Sequence, residues 1–398
     1  MNFDFADILL AVLEHRASDL HIAAGAAPTI RVRGHLKALE GFPKLTQQDT
    51  RELIYGILND EQRSRFERDR QIDFAYQIPG AARFRVNAYQ QRLAVGAAFR
   101  LIPTDIPPMD TLGLPPVTRE LVKKPRGLVL VTGPTGSGKS TSLAAMLDVI
   151  NSTRDEHIMT VEDPIEFLHQ HKRCLVNQRE LGTDALSFSA ALKAALRQDP
   201  DVILVGEMRD LETISTALTA AETGHLVFAT LHTQSTAQTV DRIIDVFPPQ
   251  QQGQVRTQLS IALQGIVTQQ LLPTADGMGR TVATEVLVPT PAIRNLIREG
   301  KTHQIYAAVQ TSGAVGMQTM DADLARLVRA GKITRSLAEQ RASVPEELKR
   351  LLGGGMVEAP AALANAGTAP ASGGPPIGNG VLQAPSPESA SPAYTQGE

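Results

Sequence analysis

A glycine-rich segment at residues 133–141 has the residue types and spacing that bind a triphosphate. It reads Gly133-Pro134-Thr135-Gly136-Ser137-Gly138-Lys139-Ser140-Thr141, which fits the pattern G-x-x-x-x-G-K-[ST] at every fixed position. Glycines let backbone N–H groups turn toward phosphate oxygens, and a following helix adds its positive N-terminal end. We therefore predict that this loop binds ATP, with Lys139 on the β- and γ-phosphates and the Ser140 hydroxyl on Mg²⁺. The alternative is a glycine-rich turn that happens to contain a lysine.

Two carboxylates follow apolar stretches that read as strands. Glu207 comes directly after the stretch 202–205 and Gly206, and Glu162 ends the stretch 158–161. Ligands of open α/β sheets bind at the carboxyl ends of the strands, so both acids should lie near the nucleotide. We predict that Glu207 orients or deprotonates the attacking water, with Glu162 as the second candidate for holding water or metal. The alternatives are a helix cap for Glu207 and an exposed acidic turn for Glu162.

Two histidines, His225 and His232, flank a further apolar stretch at residues 226–231. A histidine can sense a phosphate or a neighbouring carboxylate through a hydrogen bond without carrying a permanent charge. We expect at least one of the pair to act at the nucleotide site. The alternative is that both are structural residues at the ends of a strand.

The elements that must position these residues divide the chain into five parts. Residues 1–105 mix helical stretches with alternating strands such as 72–78, 84–88 and 95–101, and they indicate an α+β domain. Residues 106–116 form a Pro-rich linker, and residues 117–290 carry continuous apolar strands separated by helices, which favours a parallel sheet covered on both faces. Residues 291–350 read as helical. The Pro/Gly-rich residues 353–398 lack Lys and Arg and are predicted to be disordered.

Composition limits the class of protein. The chain has 398 residues, a formal net charge of -3 and one cysteine, Cys174, which excludes an internal disulfide and a multi-cysteine zinc site. The net negative charge and the absence of Trp argue against a nucleic-acid partner. No apolar run approaches the roughly 20 residues that a membrane span needs, and the N-terminus lacks the basic residues of a signal peptide. We expect a cytoplasmic protein that meets a membrane only through partners.

The order of these elements resembles the secretion ATPase superfamily, whose members carry a P-loop, an acidic box, an atypical Walker B strand and a histidine box. Within it, residues 1–345 resemble the type IV pilus retraction ATPases of the PilT family. The similarity includes residues 17–22 (ASDLHI), residues 205–210 (VGEMRD) and the helical octet at residues 292–299 (AIRNLIRE). The octet also has an amphipathic stripe, so helix packing is its alternative explanation.

This resemblance implies a fold and a function. It implies a RecA-like P-loop ATPase core of the α/β class with a parallel-rich sheet, preceded by a smaller α+β (PAS-like) N-terminal domain. The implied function is a hexameric motor that hydrolyses ATP, turns its N-terminal domain about the linker, and retracts a pilus in twitching motility. The implied partners are five further copies in a homohexamer, an inner-membrane platform protein and a paralogous retraction ATPase. The motor would sit at the inner face of the cytoplasmic membrane.

Three arginines of the N-terminal strands, Arg83, Arg85 and Arg100, fit this implied assembly. An arginine supplied by another domain or subunit can stabilise charge on the transferred phosphoryl group. The alternative for each is a solvated side chain on a strand face. Two other functions remain open: an accessory retraction subunit of the paralogous type, and a RecA-like nucleic-acid motor.

Overall fold

The structure, a computed structural model, describes residues 5–32, 34–78, 81–103 and 105–353. The tail at residues 353–398 is predicted to be disordered. From residue 354 onward it lies outside the described residues. These described residues belong to one compact unit that contains two sheets. Each sheet has its own group of buried side chains.

The N-terminal sheet has six antiparallel strands in the order β3-β2-β1-β6-β5-β4. The strands are β1 (Asp19–Ile22), β2 (Thr29–Val32), β3 (His35–Ala38), β4 (Gln71–Ile78), β5 (Ala82–Gln91) and β6 (Ala94–Ile102). Three helices accompany them: α1 (Phe5–Glu14), α2 (Gln47–Ile57) and α3 (Asp60–Asp69). Capping boxes begin α2, at Thr46 and Asp49, and α3, at Asn59 and Gln62. The apolar side chains that alternate along β5 and the mostly buried side chains of β6 share a core with α1 and α2, so one face of β5 is buried and the other is partly exposed.

The second sheet has seven strands in the order β13-β12-β7-β11-β10-β8-β9. They are β7 (Gly127–Thr132), β8 (His157–Glu162), β9 (Leu175–Glu180), β10 (Val202–Val205), β11 (Leu226–Leu231), β12 (Leu263–Pro273) and β13 (Arg280–Leu287). All pairs are parallel except β12 with β13. Every residue of β7, β10 and β11 is buried, because helices cover both faces of the sheet. The α/β core with a parallel-rich sheet, and the smaller α+β region before it, are confirmed.

Helices connect these strands and follow the sheet. They are α4 (Thr118–Leu121), α5 (Lys139–Thr153), α6 (Phe188–Ala195), α7 (Leu211–Glu222), α8 (Thr236–Asp245) and α9 (Pro249–Ala262), then α10 (Pro291–Glu299), α11 (Ile305–Thr311), α12 (Met320–Arg329), α13 (Arg335–Arg341) and α14 (Pro345–Leu352). The last five, α10 to α14, follow β13. None of the helices in the described part of the chain combines the length and the apolar character that a membrane span requires.

Three local features differ from the pattern in the sequence. Residues 29–36 look like one strand, but β2 and β3 form a hairpin because Gly34 turns the chain at φ +87°. The apolar pattern of the sequence does not predict that β12 and β13 pair in antiparallel fashion, because periodicity within a strand does not show which strand lies beside it. The Pro-rich segment is packed: Met109 is buried against the core beside α5.

Candidate functional site

The glycine-rich loop joins the carboxyl end of β7 to the start of α5, in the central part of the second sheet. At Gly133 the backbone has φ +138°, and a Cβ placed there would lie 2.3 Å from the carbonyl oxygen of Gln269 on β12. At Gly136 and Gly138, by contrast, a Cβ would meet nothing within 4 Å. Gly133 therefore lets the loop pass against β12, whereas Gly136 and Gly138 leave the outer side of the loop open to a ligand.

Lys139 is held inside this loop. Its Nζ donates to the carbonyl oxygens of Gly133 at 2.9 Å and Pro134 at 3.1 Å. The side chain is largely buried, and burial lowers the pKa of the ammonium against the opposing pull of Glu207 and Glu166. A cation held near bare carbonyl oxygens gains from anionic phosphate oxygens that approach it, so the arrangement fits a phosphate ligand.

A cleft of about 350 Å³ opens in front of the loop. It brings together most of the expected residues: Thr135, Gly136, Gly138, Lys139, Ser140, Thr141, Glu162, Glu207 and His232. Its volume lies within the range typical of ligand sites, at the carboxyl edge of the parallel strands. The cleft is also lined by four side chains to which the sequence pattern assigned no individual role: Glu166, Phe188, Arg209 and Arg280. Glu166 and Arg209 lie within four residues of a motif acid, whereas Phe188 and Arg280 had no signal in the sequence.

Glu162, the last residue of β8, is 9% exposed. Burial raises the pKa of its carboxyl to about 7, although hydrogen bonds from Thr160 and Gln178 oppose the shift. Thr160 Oγ1 donates to Glu162 Oε1 at 2.7 Å, and the amide of Glu166 lies 3.4 Å from Oε2. The group is therefore near its titration point at neutral pH, which suits a residue that accepts a proton.

The pKa of the Glu207 carboxyl is shifted in the opposite direction to that of Glu162. Burial pulls the pKa of this carboxyl upward, but the hydrogen bond from Arg209 and the charges of His232 and Arg209 outweigh it and the net shift is downward. Arg209 Nε lies 2.6 Å from Glu207 Oε1, and His232 Nε2 lies 3.4 Å from Oε2. Glu207 is therefore an ionised carboxylate whose charge also attracts Lys139. Its place in the cleft gives it more than a helix-capping role, since Asp210 is the N-cap of α7.

The two histidines lie at opposite ends of β11. His232 follows the carboxyl end and lines the cleft. His225 precedes the amino end, where its Nδ1 lies 3.0 Å from the carbonyl oxygen of Ala220. A strand of this length spans about 20 Å, so the structure does not bring His225 to the cleft.

The three arginines differ in their partners. Arg83 Nη2 pairs with Glu180 at 3.1 Å, and Arg100 Nε pairs with Asp19 at 2.9 Å. Arg85 is exposed, makes no ion pair within the described residues, and lines a separate cleft with Asp163 and Pro164. None of the three lines the cleft at Lys139, so in this arrangement of one chain they do not contact the phosphate site.

The oxygen donors of the cleft fit Mg²⁺. Ser140, Glu162 and Glu207 supply a hydroxyl and two carboxylates, which are hard ligands. In the described part of the chain no group of three His, Cys, Asp or Glu side chains could hold a metal ion by itself.

Comparison with known proteins gives a family and close relatives. Residues 4–339 match the family model of type II/IV secretion system proteins. The chain is 54% identical to the type IV pilus retraction ATPase PilT of Pseudomonas aeruginosa, over 86% of this chain and 99% of the relative. It is 44% identical to the type IV pilus ATPase PilU of the same organism, over 88% of this chain and 91% of that protein.

A solved structure gives the same result in three dimensions. The crystal structure of the pilus retraction motor PilT with bound ADP superposes with a TM-score of 0.82 at 50% identity, covering 88% of this chain and 100% of that one. The family model, the retraction ATPase relative and this fold agree over the same region. The chain therefore belongs to the type II/IV secretion system protein family, and within that family it is similar to the type IV pilus retraction ATPases.

Proposed function

We propose that this chain is a motor ATPase that hydrolyses ATP and uses the energy to retract a type IV pilus. One observation carries the proposal: Lys139 lies within the glycine-rich loop and shares a single cleft with two carboxylates of different electrostatic character, Glu162 and Glu207. The bound ADP of the retraction motor that this fold resembles supports ATP as the ligand. The retraction ATPase among its relatives supports the pilus as the load.

The residues divide the chemistry of hydrolysis among them. Water attacks the γ-phosphorus, the bond from that phosphorus to the β–γ bridging oxygen breaks, and ADP leaves. Glu162 accepts the proton of the water, because its carboxyl titrates near neutral pH. Lys139 stabilises charge on the β- and γ-phosphates. Ser140 and Glu207 would hold Mg²⁺, which would offset the negative charge of the phosphates. The sequence favoured Glu207 for the attacking water, with Glu162 as the second candidate for water or metal; this assignment gives the water to Glu162.

The assembly proposed here is a homohexamer that acts on a platform protein at the inner face of the cytoplasmic membrane. Arg85 is the arginine most available to a phosphate during closure of the N-terminal region or from a neighbouring copy. It is exposed and unpaired in the described residues, whereas Arg83 and Arg100 are engaged by carboxylates. A retraction cycle would then couple nucleotide state to the position of the N-terminal sheet.

The test combines chemistry with phenotype. Purified protein should release phosphate from ATP in the presence of Mg²⁺, and Lys139→Ala should lower kcat/KM by at least about a hundredfold, because one phosphate-contacting cation is lost. Lys124→Ala, outside the cleft, serves as the control. Deletion in the source organism should leave excess surface pili and abolish twitching. A Lys139→Ala protein with the parent rate would refute the site, and bald cells would refute retraction.

The accessory subunit is the second candidate, because the chain is also 44% identical to PilU. Greater identity to PilT over a similar length of chain favours the motor. Complementation separates the two. A motor restores twitching to cells that lack their retraction ATPase, whereas an accessory subunit fails to do so without a functional partner.

A further inference from the structure

The Gln178 side chain joins the Glu162 carboxylate to the loop that follows it. Gln178 lies on β9, where it pairs with Thr160 of β8 in parallel register. Its Nε2 donates to Glu162 Oε1 at 3.2 Å and to the carbonyl oxygen of Phe167 at 2.9 Å. Its Oε1 accepts the backbone N–H of His169 at 2.8 Å. One amide group therefore fixes both a carboxylate and the backbone on either side of residue 168.

Thr160 completes this arrangement from the neighbouring strand. Its hydroxyl donates to Glu162 Oε1 at 2.7 Å, so two side-chain donors converge on the same oxygen. Within the described residues, the other oxygen, Oε2, accepts one hydrogen bond, from the backbone N–H of Glu166 at 3.4 Å. The two donors thus occupy Oε1 and leave Oε2 with the spare capacity to accept a hydrogen bond from water.

We propose that Gln178 is a positioning residue for ATP hydrolysis, holding Glu162 so that Oε2 is aimed at the attacking water. Thr160 assists it by holding the same oxygen. This inference rests on the proposed function, because it assigns Glu162 the proton-accepting role. Gln178 thereby joins the residues that serve hydrolysis, although it lies outside both the glycine-rich loop and the strand that carries Glu162.

Burial makes the position of the Glu162 carboxylate depend on the side chains of Gln178 and Thr160. Glu162 is 9% exposed, so solvent does not replace a lost donor, and the carboxylate would turn toward other partners. A displacement of about 1 Å in a reacting group can cost a hundredfold in rate. Nucleotide affinity depends on the loop around Lys139, and Gln178 is not among the described residues that line the cleft in front of this loop. Loss of Gln178 should therefore lower kcat and leave KM nearly unchanged.

The experiment measures kcat and KM for ATP in the full chain with Mg²⁺. Gln178→Glu keeps the size of the side chain but replaces the donor with an acceptor that repels Glu162, and Gln178→Ala removes the contacts. Both should lower kcat by about tenfold or more and change KM by less than about twofold. Asn177→Ala is the matched control. Asn177 is the adjacent residue of β9, is exposed, and contacts His157 instead of the acid, so its variant should keep the parent kcat.

A second pair of variants decides the question if a Gln178 variant does not fold. Thr160→Val removes the hydroxyl at nearly constant volume and should lower kcat by about tenfold. Thr160→Ser keeps the hydroxyl and should have a kcat close to that of the parent. A purely structural role predicts that Thr160→Val and Thr160→Ser behave alike. The thermal unfolding midpoint of each variant shows whether the fold is kept.

The outcomes separate this inference from the function on which it rests. The inference is overturned if Gln178→Glu and Thr160→Val both keep the parent kcat while Glu162→Gln is inactive. If Glu162→Gln itself keeps the parent kcat, the proposed chemistry of the cleft is wrong, whatever the Gln178 variants do. The inference is supported if kcat drops in the Gln178 variants and in Thr160→Val, is kept in Thr160→Ser and Asn177→Ala, and is lost in Glu162→Gln.

Discussion

The Arg83 guanidinium of the N-terminal sheet donates to the Glu180 carboxylate of the second sheet, with 3.1 Å between Nη2 and Oε2. Side-chain exposure is 15% for Arg83 and 5% for Glu180, so the pair is largely removed from water. The same Oε2 accepts the backbone N–H of Ile165 at 3.2 Å. The N-terminal sheet is thereby tied to the segment that follows Glu162. Movement of this sheet would therefore break or re-form the Arg83–Glu180 contact beside the segment that follows Glu162.

This ion pair gives the first prediction. Arg83→Ala leaves Glu180 buried without its cation and should lower the free energy of unfolding by about 2 kcal/mol. Denaturant unfolding measures the change. Arg85→Ala should stay within about 0.5 kcal/mol of the parent, because Arg85, two residues further along β5, is exposed and forms no ion pair within the described part of the chain. Equal losses in the two variants would contradict a stabilising role for the pair. Arg83→Ala with Glu180→Gln should recover part of the loss.

The buried Glu162 carboxyl gives a prediction about pH. Its pKa in the folded chain is raised from 4.5 to about 7 by burial. The stabilisation from its protonated form is therefore fully present below pH 4.5 and is lost as pH rises through 7. Glu162→Gln does not titrate, so at pH 8 it should be more stable than the parent by up to about 3 kcal/mol, although inactive. Thermal unfolding of the nucleotide-free protein at pH 5 and pH 8 tests this. A constant difference between the two proteins across this range would refute it.

Two glycines of the loop should respond differently to alanine. A Cβ at Gly133 would lie 2.3 Å from a backbone oxygen of Gln269, whereas a Cβ at Gly136 would meet nothing within 4 Å. Both have positive φ, at +138° and +79°, so Gly136→Ala still costs about 1 kcal/mol of stability. Gly133→Ala should cost about 3 kcal/mol or prevent folding, because backbone cannot move aside as a side chain can. Unfolding curves that show equal losses would rule out the contact with β12.

Two arginines of α10 give the fourth prediction. The Arg294 guanidinium donates to the carbonyl oxygens of Ser260, Ile261 and Leu263 at the carboxyl end of α9. Arg298, on the same helix, is exposed and contacts only Asn295 among its described hydrogen-bond partners. Arg294→Ala should therefore lower the free energy of unfolding by about 1–3 kcal/mol, and Arg298→Ala by less than about 0.5. Chemical denaturation of the two variants side by side is the measurement. An Arg298→Ala loss as large as that of Arg294→Ala would contradict the helix-capping role.

The octet that contains these arginines also shows what pattern reasoning could and could not reach. Its amphipathic stripe is real, since Ile293 and Ile297 are fully buried in the core. The sequence could not show that Arg294 reaches back to α9, because the two helices meet only after the chain has passed through β12 and β13. Packing therefore accounts for part of the octet. Its exposed face includes Asn295 and Arg298.

The amino-acid sequence by itself determined the glycine-rich loop, the buried strands on either side of it and the acids at their carboxyl ends. These features depend on neighbouring residues and on the period of apolar side chains, both of which are local properties of the chain. The tertiary structure decided which side chains share a cleft and which partner each charge takes. It placed His232 in the cleft and His225 at the other end of β11, paired Arg83 with Glu180, and set Gln178 against Glu162. Such relations follow from strand order and burial, which join residues far apart in sequence and set the free energy of each charge.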